Sequence, residues 1–263
     1  MLELPEPAPR PEPWKTFRTH AHRGWAKPFV YFDWVSAYIA WHLSRWSLLK
    51  VLAYAETFSV LIALIVWVAE AKERRQQKHY QAWQVINTAQ GKGGSGGRVD
   101  ALEQLNDDHV PLVGVDVAEA FLQDVHLEKA RLRRSIFRAA DMRNAHLGKA
   151  EAADAIFTSA NLRGADLRNA DLSGSTLVDS DLTDADMGAA NVHGVNFDRA
   201  DLRGADLSGI NDWQAISSIH LANIAGVKNP PAGFVSWAVG HGAVQITGSD
   251  EWSALLAKDS AGK

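Results

Sequence analysis

His126 and His146 lie twenty residues apart. If the chain returned on itself at that interval, their rings would stack on one face about 5 Å apart, close enough to share a metal ion. No third ligand repeats in that register, so the pair reads as two surface imidazoles. Gly91, Gly93 and Gly96 spell a formal G-x-G-x-x-G within 91–97. A dinucleotide loop needs a strand before it and a helix after it. Here a helical pattern precedes it, so the segment reads as a flexible joint. The chain has no metalloprotease H-E-x-x-H, nucleophile elbow or P-loop, and no cysteine for thiolate or disulfide chemistry. No cofactor and no catalysis are expected. The many Asp and Asn side chains recur at a fixed interval, as a ladder of solvated, backbone-bonding groups does.

Charge is the more informative pattern. Between 126 and 149 there are seven Lys or Arg (Lys129, Arg131, Arg133, Arg134, Arg138, Arg143, Lys149) against Glu128 and Asp141. Between 150 and 212 there are four Arg against twelve acids. Arg131, Arg133, Arg134, Arg138 and Arg143 are the candidate interaction residues, facing anionic headgroups or an acidic partner. A solvated surface is the simpler account of the same band, and the seven acids and one Arg of 98–124 weigh against the interaction reading. The whole chain is near balance at −4, so a nucleic-acid partner is not expected.

The element that positions these residues is a repeat. From 110 to 209 an unbroken five-residue frame holds for twenty units, for example ANLRG-ADLRN-ADLSG at 160–174. Every central residue is apolar. Two before it stands Ala thirteen times, Val four and Ser three, and Asp or Asn lies between them in eleven units. A period of five fits neither a helix nor a flat strand. It fits a chain that turns a corner every five residues, with the centre and the small residue pointing inward. Phe137, Phe157 and Phe197 fall twenty and forty apart, so four sides per coil stack them in one column with Val117 and Leu177. Five coils at strand spacing give a rod of roughly 24 Å. Phe121, Ile136 and Ile156 replace the usual Asp or Asn and should be partly exposed.

This frame resembles the pentapeptide-repeat family, whose consensus is A(D/N)LXX. The resemblance implies an all-β solenoid, a right-handed quadrilateral β-helix, and no enzymatic activity. It also allows a homodimer contact through the C-terminal cap.

Flanking segments complete the plan. A solenoid needs its ends covered. The N-terminal cap is expected over 98–109, with a short helix at 99–105. The C-terminal cap is expected over 211–246, with Asp212 starting a helix over 213–224, Gly226 stopping it, and 234–239 packing back. The tail 247–263 is polar and expected to fray. Residues 1–28 open with a proline-rich stretch and read as a disordered arm. Residues 29–46 read as an amphipathic interfacial helix. The segment 47–70 holds an apolar run at 51–69, which as a helix spans about 28 Å and reads as a transmembrane helix despite Glu56. Residues 71–97 read as a juxtamembrane helix and the Gly-rich linker. Lys72, Arg74, Arg75 and Lys78 favour a cytoplasmic C-terminal side.

This arrangement looks like that of bacterial membrane-anchored pentapeptide-repeat proteins. The expected function is a single-pass scaffold at the cytoplasmic membrane face that engages a protein partner of unknown identity. The alternative is a DNA-mimicking gyrase inhibitor, in which the acidic distal coils imitate duplex phosphates.

Overall fold

The computed structural model describes residues 9–17, 19, 27–45, 47–88 and 96–261, and side chains within them apart from 27–29, 44 and 47–58. The chain divides into two compact units, Met1–Arg74 and Arg75–Lys263.

In the second unit, the five-residue period produces a four-sided parallel β-helix. Bridges join residues twenty apart, from Asp116 with Ile136 to Asn191 with Asn211. Each coil gives and takes backbone hydrogen bonds with the next: Leu132 N–H donates to Glu151 O at 2.8 Å, and Ile136 N–H to Val115 O at 2.8 Å. The corners are four-residue turns, closed by bonds such as Ala145 N–H to Met142 O at 3.1 Å. The third turn residue has positive φ, the sign a type II turn requires at that place. Asn144 (55°), Asp184 (56°) and Gly204 (68°) stand there, residues that tolerate the left-handed region. Gly204 is also held by close approach, since a Cβ would come within 2.5 Å of Asp184 Oδ1.

The repeat centres and the small residues two before them are buried and form one continuous core. Phe137 and Phe157 are fully buried and stacked, and Phe197 lies in the same column below Leu177. The three substituted positions also behave as expected: Phe121 is exposed, and Ile136 and Ile156 are half-buried.

The ladder does not stop at 209. Asn196 pairs with Ser218, Asp201 with Asn223 and Asp206 with Lys228, each now twenty-two residues apart. A single 3-10 turn, Trp213–Ala215, takes up the two extra residues. The helix expected over 213–224 therefore does not form. Ile219 and Ile224 enter the coil interior as centres, each 1% exposed. The inserted turn shifted the frame, so that residues belonging to a five-residue period mimicked helical spacing. A short helix at the end, α5 (Phe234–Gly240), packs Phe234 and Ala238 inward.

The tail also differs from expectation. Residues 249–261 form a helix, α6 (Ser249–Ala261), with Trp252 buried. The Trp252 indole N–H donates to Leu221 O at 3.1 Å. The Arg203 guanidinium lies 5.6 Å over the indole ring and donates to Ser249 Oγ at 3.0 Å. Trp252 is thus the buried anchor of the segment, with Leu255 and Leu256 half-buried beside it and Asp259 Oδ1 3.8 Å from His220 Nε2.

The N-terminal end of the rod is covered by two helical segments. Helix α4 (Arg98–Asp107) buries Ala101, Leu102 and Leu105. The end of α3 (Ser47–Thr88) adds Ala82 and Ile86, and His79 Nε2 meets Asp108 Oδ2 at 2.7 Å. The cap is thus larger than the expected 98–109.

In the first unit, α1 (Trp14–Phe17) and α2 (Lys27–Arg45) form from the arm and the interfacial segment. Within the arm's described part, Trp14–Phe17 is helical. Trp14 packs edge-on to Tyr31 with centroids 5.2 Å apart, and the Trp34 indole N–H donates to Glu12 O at 2.8 Å. The segments expected as transmembrane and juxtamembrane helices are one continuous helix, α3. Among the described residues, no helix is long and apolar enough to cross a membrane. The transmembrane expectation over 47–70 gains no support there; its side chains at 47–58 lie outside the described residues. So do Gly91 and Gly93 of the glycine joint.

Candidate functional site

The Asp and Asn side chains of the repeat serve the backbone. Residues directly before a centre use Oδ1 to accept the N–H two residues on. Asp166 accepts from Arg168 N–H at 3.0 Å, Asn196 from Asp198 at 2.8 Å and Asp206 from Ser208 at 2.8 Å. These are Asx turns, repeated along the rod, and they occupy the groups that a catalytic reading would need. Several also take a guanidinium. The Arg168 side chain donates to both oxygens of Asp166 at 2.8 and 2.6 Å, and Arg203 does the same at Asp201. Those hydrogen bonds hold the Asp166 and Asp141 carboxyls below their usual range, through Arg168 and Arg143 respectively. Asp206 is lowered chiefly by the Ser208 N–H.

The candidate arginines are all exposed and distributed by the winding. Arg131, Arg133 and Arg134 belong to one face, Arg138 to the next and Arg143 to the third. They form a band and do not converge. Arg143 is committed to Asp141 at 2.8 Å, and Arg131 lies 3.8 Å from Glu151. Among the described residues, Arg133, Arg134 and Arg138 have no carboxylate within 4.0 Å. Among the five candidate arginines, these three carry the uncommitted positive charge.

His126 and His146 are bridged partners in adjacent coils, with rings stacked 4.3 Å apart and 6° from parallel. The sequence gives them no third ligand in register, but the fold does. Glu128 Oε1 lies 3.5 Å from His126 Nδ1 and 4.0 Å from His146 Nδ1. The legible signal was the H-x-E at 126–128, because residues on either side of a centre project from the same face.

In the first unit, α3 exposes an aliphatic run. Val60, Leu61, Ile62, Leu64, Ile65, Val66, Trp67 and Val68 are each 47% exposed or more. Consecutive residues cover every side of a helix, so this surface is apolar all round and not along one stripe.

The model of the pentapeptide repeats matches residues 112–148, 135–174 and 180–211. No curated protein matches the chain. Among solved structures, it is similar to HetL, a pentapeptide repeat protein involved in heterocyst differentiation regulation from the cyanobacterium Nostoc sp. strain PCC 7120, at 26% identity and TM-score 0.31. That match covers 45% of this chain and 54% of HetL, so the likeness spans about half of that protein. It is similar also to a pentapeptide repeat protein of the Arabidopsis thaliana thylakoid lumen, at 25% identity and TM-score 0.28, over 49% of this chain and 88% of the other. A third is QnrB1, a plasmid-mediated fluoroquinolone resistance protein, at 18% identity and TM-score 0.28, over 58% and 84%. The repeat frame, the twenty-residue ladder and the matched model agree: residues 112–174 and 180–211 of this chain are pentapeptide repeats.

Proposed function

We propose that the protein is a non-enzymatic interaction scaffold held at a membrane through residues 47–70, with the repeat rod presented to a protein partner on the cytoplasmic side. The observation that carries the reading is the exposed run at 60–68. A helix apolar on all sides has no stable place in water unless protein or lipid covers it. Lys72, Arg74, Arg75 and Lys78 follow it, a basic flank of the kind that remains on the cytoplasmic side. The rod's polar groups are engaged in backbone turns and ion pairs, which suits a rigid display surface. Arg133, Arg134 and Arg138 supply uncommitted positive charge for an acidic partner surface.

The gyrase-inhibitor reading rests on the acid excess beyond residue 150. Three of those twelve acids are paired with arginine, Asp166 with Arg168, Asp179 with Arg199 and Asp201 with Arg203, and the excess of eight acids stands after these pairs. The scaffold reading is preferred because the exposed apolar run at 60–68 has no part in duplex mimicry. Fractionation tests it. The expressed chain is expected in the membrane pellet, to resist extraction by high salt and to dissolve in detergent. A chain that stays in the supernatant after a high-speed spin without detergent would overturn the anchor.

A further inference from the structure

We propose that His126, His146 and Glu128 form a surface site for one divalent transition-metal ion of the Zn2+ type. The β-helix sets the geometry. The bridge between positions 126 and 146 fixes the two backbones in register. His146 N–H donates to Val125 O at 2.8 Å, and Leu127 N–H to His146 O at 2.8 Å. His126 N–H is held in turn by Glu103 Oε1 at 2.8 Å. The side chains thus project from a stiff platform.

The donor set is two imidazoles and a carboxylate, with ligand atoms all within 4.8 Å of one another. Zn2+ takes such donors at about 2.0–2.2 Å and keeps an open position for water when only three protein ligands are present. Closing around an ion requires these atoms to approach to roughly 3.3 Å, as tetrahedral bonds of that length dictate. Side-chain rotation supplies the difference. The side chains of His126, Glu128 and His146 are 59%, 45% and 41% exposed, so no packing resists it. The rings must also turn out of their parallel stack, because an imidazole lone pair lies in the ring plane.

Two features point to a ligand and not to a structural ion pair. Among the described residues, the only ion-pair partners of Glu128 are these two histidines, although Lys129 and Lys149 lie on the same face. The histidines also interrupt the column where Asp166, Asp186 and Asp206 continue the ordinary pattern. An ion bound here would staple two adjacent coils, and so stabilise the folded rod by an amount that grows with the logarithm of free ion concentration above Kd. Binding would compete with protons for the ligands and weaken as pH falls.

The test is titration of the metal-free, full-length protein in detergent with Zn2+ alone, by calorimetry and by thermal unfolding. The wild type is expected to take up one Zn2+ at this site and to melt higher with Zn2+ present. His146→Ala and the isosteric Glu128→Gln are each expected to weaken that binding by at least the 10–100-fold that loss of an outer-shell partner costs, and to lose the melting shift. No Zn2+ uptake by the wild type would overturn the proposal, as would uptake and melting shifts in both variants equal to the wild type. The result is independent of membrane attachment, since fractionation reads the anchor and this titration reads the rod.

Discussion

The Phe137 and Phe157 rings stack in the rod interior with centroids 5.0 Å apart and planes 4° from parallel. They come from residues twenty apart in sequence and from adjacent coils in space. Their contact is the direct consequence of four five-residue sides per turn. Both rings are fully buried. Phe157→Ala would leave a void in the column and is expected to cost about 3–5 kcal/mol. Chemical denaturation of the full chain measures it, and a loss below about 1 kcal/mol would mean that the column relaxes around the gap.

Ser175 occupies an inward position where Ala is usual, and among the described residues its Oγ has no hydrogen-bond partner. Ser135 occupies an equivalent position but donates to Leu112 O at 2.9 Å. Ser175→Ala is therefore expected to stabilise the rod by about 1 kcal/mol, while Ser135→Ala costs about the same. Parallel melting curves check the opposite signs.

Acid should act through the paired carboxylates. The folded-state values of Asp141, Asp166 and Asp206 are lowered by hydrogen bonds from Arg143, Arg168 and the Ser208 N–H. Their contribution is complete above the unfolded carboxylate value of about 3.9 and is lost as pH falls below it through the depressed folded values. Melting temperature is expected to be flat from neutral pH to about pH 5 and to fall steeply below about pH 4. Asp166→Asn should flatten part of that fall.

Trp252 is the buried side chain of helix α6. Trp252→Ala removes the indole that Arg203 covers and that bonds Leu221 O. Hydrogen exchange should then show 249–261 opening freely while the coils at 130–200 remain protected. Equal protection of both would show that other contacts hold the helix.

The first five coils were legible because every side of the rod repeats the same physical demand: a filled interior, a small neighbour and a tight corner. The sixth turn was not, although ANIAG at 222–226 matches the consensus. The two residues taken up at Trp213–Ala215 break an ungapped frame, and Trp213, Ile216 and Ile219 then fall at a helix-like interval. Docking of α6 was hidden because its partner, Arg203, lies 46 residues from Ser249. The third member of the histidine cluster was missed for a simpler reason. Comparison at twenty-residue intervals finds neighbours along a column, and Glu128 is a neighbour across it.

The attachment of the chain to a membrane through 47–70 is tested most directly by flotation with lipid vesicles containing anionic lipid. The wild-type chain, transferred from detergent, is expected to float with the vesicles and to remain with them in high salt. A variant with Leu61→Asp and Ile65→Asp places two charges on the exposed apolar run and is expected to stay at the bottom of the gradient. A wild-type chain that fails to float, or a variant that floats as well as the wild type, would contradict the account.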